Sequence, residues 1–231
     1  MIKTRAAVRS GDHVGERYAT AALPRRRTPW RQASWCALDF ELTGLDPRAD
    51  EVISFGAVPI EDGRVVLGEA VRGLARPAAE IGEAAIRVHG IRVADLARAP
   101  LLADAIDPLI DVLSGRILVC HFAWVERAFL TRALVQRGLR LRGPIVDTEV
   151  LGRVWLHDRD GGVHGRLGLG ELAAALGLPA EYPHDALADA LTTAQAFVAL
   201  ASHLDARHRE TVGSLARAAR RLESIRFFHP R

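Results

Sequence analysis

The sequence predicts an α/β domain built on a mixed β-sheet. Two observations predict it. Three strand-like runs follow one another in residues 34–73, and the second and third are joined by Asp62-Gly63, a strong antiparallel hairpin signal. Beyond Pro77, short apolar runs alternate with stretches at helical spacing, as in a sheet whose later strands are connected through helices. The 231 residues suffice for one sizeable domain, and a hydrophobic share of 49% supports a packed core and excludes a wholly disordered chain.

The first strand covers residues 34–42, an apolar run that ends at the turn residues Thr43-Gly44. Side chains alternate across a strand, so Asp39 and Glu41 share one side and Phe40 and Leu42 the other. Taken alone, the two acids read as a strand running out into solvent. The alternative is a cation between them, Mg²⁺ or Mn²⁺, which would relieve their repulsion. Residues 51–60 form the second strand, which Pro59 is expected to end or fray. Residues 64–73 form the third.

Residues 80–87 read as a short helix, followed by a turn at His89-Gly90-Ile91. Residues 101–113 have helix spacing, with Pro108 forcing a kink or a restart and Ser114-Gly115 stopping the helix. Asp104, Asp107 and Asp111 lie along it as a solvated face. A fourth strand at 116–120 leads to a helix at 123–136, closed by Gly138. A short fifth strand at 145–147 precedes a helix at 148–156. Residues 157–168 are glycine-rich and read as a mobile loop. Gly168-x-Gly170-x-x-Ala173 imitates a dinucleotide fingerprint, but no strand precedes it and the required context is missing. A helix at 169–176 stops at Gly177 and Pro179, a long helix follows at 186–203, and a basic helix spans about residues 205–226.

Charge is unevenly spread. Residues 1–33 hold eight Lys/Arg and two Asp/Glu, so the arm carries +6 of a total of +3 and the remainder is net negative. The arm reads as a solvated, disordered extension, or as a binder of phosphate backbone, with the globular domain covering 34–203 and a C-terminal helix 204–231. No apolar run is long enough to span a bilayer, and the arm lacks the apolar core of a secretory signal. Cys36 and Cys120 form no CxxC spacing and read as buried free thiols, which fits a reducing, cytoplasmic location.

Further chemistry-bearing residues sit at element ends. His121 follows the fourth strand and Glu126 opens the next helix; His184 and Asp189 flank the start of the long helix. Asp189 is set among alanines and leucine, where an acid either faces solvent or has a partner. Together these motifs resemble the DEDDh group of 3′–5′ exonucleases, in its DnaQ-like branch. The stretches that carry the resemblance are Asp39-Phe40-Glu41-Leu42-Thr43-Gly44-Leu45-Asp46, Ile53-Ser54-Phe55-Gly56-Ala57-Val58, Val88-His89-Gly90-Ile91 and His184-Asp185-Ala186-Leu187-Ala188-Asp189-Ala190, in order over about residues 34–200. It implies an RNase H-like fold, a five-stranded mixed sheet with strand one central and strand two antiparallel. It departs in the second motif. Where the family has roughly His-Asn-Ala-x-Phe-Asp, this chain has His121-Phe122-Ala123-Trp124-Val125-Glu126, so Phe122 replaces the Asn and Glu126 the Asp.

The resemblance implies that Asp39, Glu41, Glu126 and Asp189 hold two divalent cations, Mg²⁺ or Mn²⁺, and that His184 is the general base. It implies that Leu42, Thr43, Gly44 and His89 line the pocket for the terminal nucleotide. The substrate implied is a single-stranded nucleic acid 3′ end, DNA before RNA, with a DNA polymerase as an open partner. The alternatives are an exoribonuclease of the same fold and a weakened nucleic-acid binding module marked by Glu126. His121 either supports the site from behind or is structural. Trp124 reads as a core residue, with base stacking as the alternative.

Overall fold

The computed structural model describes residues 13–162, 165–179 and 184–218. The elements in chain order are α1 (His13–Thr20), β1 (Trp35–Leu42), β2 (Val52–Glu61), β3 (Arg64–Val65), β4 (Val71–Leu74), α2 (Glu83–His89), α3 (Leu102–Ala105), α4 (Asp107–Val112), β5 (Ile117–Cys120), α5 (Trp124–Gln136), β6 (Ile145–Asp147), α6 (Thr148–Asp160), α7 (Leu169–Leu176), α8 (Ala186–Asp205) and α9 (Val212–Leu215). The sheet is mixed and has five positions, with β1 at the centre. β2 lies antiparallel on one side of β1, from Trp35↔Ile60 to Leu42↔Val52. β5 lies parallel on the other side, with β6 parallel beyond it. This is the RNase H-like arrangement that the motifs imply.

Two expectations about the edge of this sheet change for one reason. β2 runs through Pro59 to Glu61, and the third position is split into β3 and β4 by a 3-10 turn at Leu67–Glu69. The Pro59 carbonyl accepts from the Val66 N–H at 2.9 Å, so it points to the edge, and so does the side of Pro59 that lacks an N–H. Pairing with β1 therefore continues unbroken through Cys36↔Pro59. On the edge side, β4 pairs with Ser54–Ala57 and β3 with Ile60 and Glu61, and the gap falls at the proline.

The period of two in β1 feeds two cores. Cys36, Leu38, Phe40 and Leu42 join one cluster with α4 and α5, and Trp35 and Ala37 join the other with α6 and α8. Asp39 and Glu41 continue the α8 side. α3 and α4 are separate pieces broken at Ile106, with Pro108 in the first turn of the second, as the kink required. α6 continues to Asp160 and takes in the first residues of the expected loop, ending on Gly161 in a left-handed conformation. Of that loop, residues 163–164 lie outside the described part of the chain.

The N-terminal arm is corrected by the packing. From His13 onward it is not a free tail. Tyr18 is buried in the α4–α5 cluster, and its carbonyl and that of Ala21 accept from Arg142. Trp30 is only 1% exposed; its ring meets Phe197 edge-on at 6.1 Å, and its carbonyl accepts from the Trp35 indole at 2.8 Å. The arginines of this segment face solvent and dominate its composition, but Tyr18 and Trp30 decide where it goes. The C-terminal expectation also shifts: α8 ends at Asp205, Pro29 bridges to Thr211, and α9 follows. Residues 1–12 and 219–231 lie outside the described residues. The folded body thus extends at least over 13–218. Among the described residues no helix is long and apolar enough to cross a membrane.

Trp30→Ala tests this boundary. It should destabilise the fold by about 3–5 kcal/mol, the cost of emptying a core aromatic site. Chemical denaturation reads this directly, and a change below about 0.5 kcal/mol would return Trp30 to the surface.

Candidate active site

β1 and β5 run parallel, and their carboxyl ends open on the same edge of the sheet, where ligands of such sheets bind. Asp39 and Glu41 stand at this end of β1. Asp189 comes from the first turn of α8, whose start is fixed by Asp185: its carboxylate accepts from the N–H groups of Leu187 and Ala188 at 3.0 and 3.1 Å. One carboxylate oxygen from each of Asp39, Glu41 and Asp189 lies within 4.8 Å of the other two.

The helix can come this near because of Gly56. It pairs with Asp39 in the β1–β2 register, and a Cβ there would overlap the Ala186 carbonyl and the Leu187 Cα. In the sequence this role shows only as a small residue within a buried strand.

Glu126 enters from α5, on the other face of the sheet. It is 4% exposed, and its Oε2 has no hydrogen-bond partner among the described residues. It stands outside the three-carboxylate group but close enough to act on Asp39. Desolvation, then Glu126, Asp189 and Glu41, push the Asp39 carboxyl well above the usual range. Burial, with Asp189 next, raises Glu41 to about 8. Burial also raises Glu126 to about 8, with Asp147 adding to the shift and the Glu126 N–H opposing it. Asp189 is raised by burial as well, though it accepts from the His184 N–H at 2.8 Å and is favoured by the imidazole.

Four acids so placed repel one another, and one buried oxygen is unsatisfied. The donors are hard oxygens, and a divalent cation such as Mg²⁺ or Mn²⁺ fits both the charge and the chemistry.

The remaining expected residues fall into two groups. Leu42, Gly44 and His89 line a cavity of about 490 Å³, together with Phe40, Glu41, Leu45, Val88 and Val125. Glu41 thus borders both the carboxylate group and the cavity. Burial pushes the His89 imidazole below its usual pKa. Thr43 is not in that lining. Its hydroxyl donates to Asp50 at 3.0 Å and accepts from the Glu51 N–H at 2.9 Å, so it ties down the loop after β1. Arg132 of α5 grips the same loop through the carbonyls of Pro47 and Asp50. His184 is exposed, with φ +68. His121 is buried between the Thr148 hydroxyl and the Leu167 carbonyl, both at 2.9 Å, and burial lowers its pKa. It therefore ties the end of β5 to α6 and to the segment before α7. Trp124 is 52% exposed, against the expectation of a core residue.

Sequence reading missed Asp147. Its carboxylate caps α6 through the Glu149 N–H and also accepts from the N–H groups of Phe122 and Ala123, at 3.2 and 2.9 Å. It fixes the loop that leads to Glu126. An acid between a short strand and a helix is a capping signal, which could have found it.

A central β1, a carboxylate group at its end and a cavity beside it define a nuclease of the DEDDh type. The exonuclease family matches residues 36–197, and the chain belongs to it, within the DEDDh, DnaQ-like 3′–5′ exonuclease superfamily. Among its relatives, a DNA polymerase III subunit epsilon-like protein of Rhodobacter capsulatus is 34% identical over 200 residues, covering 84% of this chain and 27% of that protein. The DNA polymerase III subunit epsilon of Aquifex aeolicus is 28% identical over 172 residues, covering 74% of this chain and 82% of that protein. The chain therefore spans about a quarter of the first relative and most of the second. In fold it is similar to Exonuclease X in complex with 5′-overhanging duplex DNA, with a TM-score of 0.59 and 22% identity over 80% of this chain and 98% of that one.

Two predictions follow from the geometry. Gly56→Ala should push α8 away from β1 and weaken Mn²⁺ binding at least about tenfold, a loss of roughly 1.4 kcal/mol; calorimetry on the folded variant reads it, and unchanged affinity would show that α8 tolerates the methyl.

The second concerns pH. Glu41 and Glu126 titrate near 8 in the ion-free fold, against an ordinary value of 4.5. Between those values the folded chain binds more protons than the unfolded one, so stability is greatest at the acid end and falls as pH rises. In EDTA, Tm should drop between about pH 5 and about pH 8.5, and Mn²⁺ should restore it at the alkaline end. A flat profile in EDTA would mean that neither burial nor neighbouring charge raises these carboxyls in the fold.

Proposed function

We propose that this chain is a metal-dependent 3′–5′ exonuclease that shortens single-stranded DNA to 5′-mononucleotides. The observation that carries this reading is the meeting of Asp39, Glu41 and Asp189 within 4.8 Å at the mouth of a nucleotide-sized cavity that Glu41 also lines. Asp39, Glu41 and Asp189 would hold divalent cations, two by the DEDDh pattern, with Glu126 supplying a fourth negative charge. The bound ions supply charge stabilisation at the attacked phosphate and lower the pKa of the attacking water.

The chain's own residues do the rest. The 490 Å³ cavity takes the terminal nucleotide, with Leu42 and Val88 as apolar walls and Gly44 in its lining, where the Asp50 carboxylate fills the place of a side chain. His184 takes the proton of the attacking water. The oxygen of that water becomes part of the released 5′-phosphate, and the shortened strand leaves with a 3′-hydroxyl. His184 suits this because it is exposed and adjoins Asp189 through its own N–H. Relatives named for DNA polymerase III support DNA as substrate and a proofreading setting.

The test uses 5′-labelled single-stranded DNA and RNA of one sequence, with Mg²⁺, Mn²⁺ or EDTA. A ladder shortening from the 3′ end, abolished by EDTA and Asp39→Ala, is the expected result; cleavage of a circular single strand would refute it, and faster RNA loss would move the substrate to RNA. Within the same assay, Glu126→Gln should slow the initial rate by about a hundredfold or more, while Glu126→Asp keeps most of it, because charge matters more than length in such a site. A fully active Glu126→Gln would remove Glu126 from the site.

A further inference from the structure

The first turn of α5 sends its side chains three ways. Glu126 is buried towards Asp39, Val125 lines the cavity, and Trp124 stands in solvent at 52% exposure. The other tryptophans are accounted for: Trp30 and Trp35 are core, and half-buried Trp155 stacks on His203 at 5.5 Å. Trp124 alone of the four is left in water, next in sequence to the cavity-lining Val125.

Cations flank it. Arg127 is exposed three residues on, on the same outward side of the helix as Trp124. On the other side of the turn, Arg166 is exposed and its guanidinium lies over the Phe122 ring at 4.9 Å. Neither arginine has a carboxylate within ion-pair distance among the described residues. On α2 and just beyond it, by contrast, Arg87 and Arg92 are paired with Glu83 and Asp95. Aromatic faces between uncompensated cations are the composition of a single-strand binding track: each base offers a face to stack, and each phosphate seeks a cation. The N-terminus of the 13-residue α5 adds positive potential at the same place.

We propose that Trp124, Arg127 and the Phe122–Arg166 pair form a subsite for the single strand upstream of its 3′-terminal nucleotide. One base stacks on Trp124, and the two guanidinium groups take the flanking phosphates. This rests on the exonuclease reading, since it assumes that the terminal nucleotide occupies the neighbouring cavity. The subsite makes the enzyme prefer longer strands to dinucleotides.

Binding is measured on the full chain in EDTA, so that it does not depend on turnover. The probes are a 5′-labelled dT12 followed by anisotropy, and the chain's own tryptophan fluorescence. Binding of dT12 should quench that fluorescence, and thymidine 5′-monophosphate should not. Trp124→Ala should weaken dT12 binding about tenfold, Trp124→Phe should keep most of it, and Arg127→Ala with Arg166→Ala should lower the salt dependence of binding. With Mn²⁺ present, Trp124→Ala should cut the ratio of kcat/KM for dT12 over dTpdT by a similar factor. Unchanged dT12 affinity in a folded Trp124→Ala variant, or equal losses on dT12 and dTpdT, would overturn the subsite. If the parent binds dT12 through Trp124 but hydrolyses neither substrate, the exonuclease reading falls and the binding surface stands.

Discussion

The constraint on which the site depends is the antiparallel register of β1 and β2. It sets Gly56 opposite Asp39, and the missing side chain there opens a gap in the sheet surface that the start of α8 fills. Any side chain at that position would hold the helix off, and Asp189 would not reach the acids of β1. The register is itself secure because β1 is flanked on both sides and nearly every residue in it is buried; a slip by one residue would send Trp35 and Ala37 to the wrong core. Site geometry is therefore inherited from the most stable part of the fold.

That stability is set against a local cost. Burial raises the pKa values of Asp39, Glu41, Glu126 and Asp189 alike, and repulsion from neighbouring acids of the group adds to the shift at Asp39 and Glu41. A fold seeking stability alone would place apolar groups here. The surrounding structure counters the cost with hydrogen bonds that fix the elements carrying the acids. Asp185 pins the start of α8, the His184 N–H reaches Asp189, and Arg132 ties the β1 loop to α5.

What could be read from the sequence was local. Alternation along β1 was enough to put Asp39 and Glu41 on one side, and the helical pattern from residue 186 was enough to start α8 where it starts. What could not be read was long-range. Nothing near Gly56 in sequence announces a helix 130 residues later lying against it. Thr43 looks like a pocket residue until Asp50 and Glu51 are seen to use its hydroxyl. The arm from His13 to Ala33 reads as a tail because of its many arginines, which face solvent, whereas Tyr18 and Trp30 fix it to the core. Composition averages over a segment; packing is decided by its most apolar members.

The departure at Phe122 becomes intelligible at the level of backbone. Phe122 has φ +58, a left-handed conformation that Asn adopts readily and Phe only at a cost of about 1–2 kcal/mol. The DEDDh motif's Asn suits that conformation by itself. In this chain the turn is held from outside, by Asp147 accepting from the N–H groups of both Phe122 and Ala123, each such charge-assisted bond contributing about 1.5–3 kcal/mol. With the backbone secured by Asp147, position 122 no longer needs a residue chosen for its conformation. It can carry a ring instead, which packs on His121 at 4.6 Å and stacks under Arg166 at 4.9 Å. The exchange leaves Glu126 aimed at Asp39 while it changes the surface beside it from an amide to an aromatic face carrying a cation.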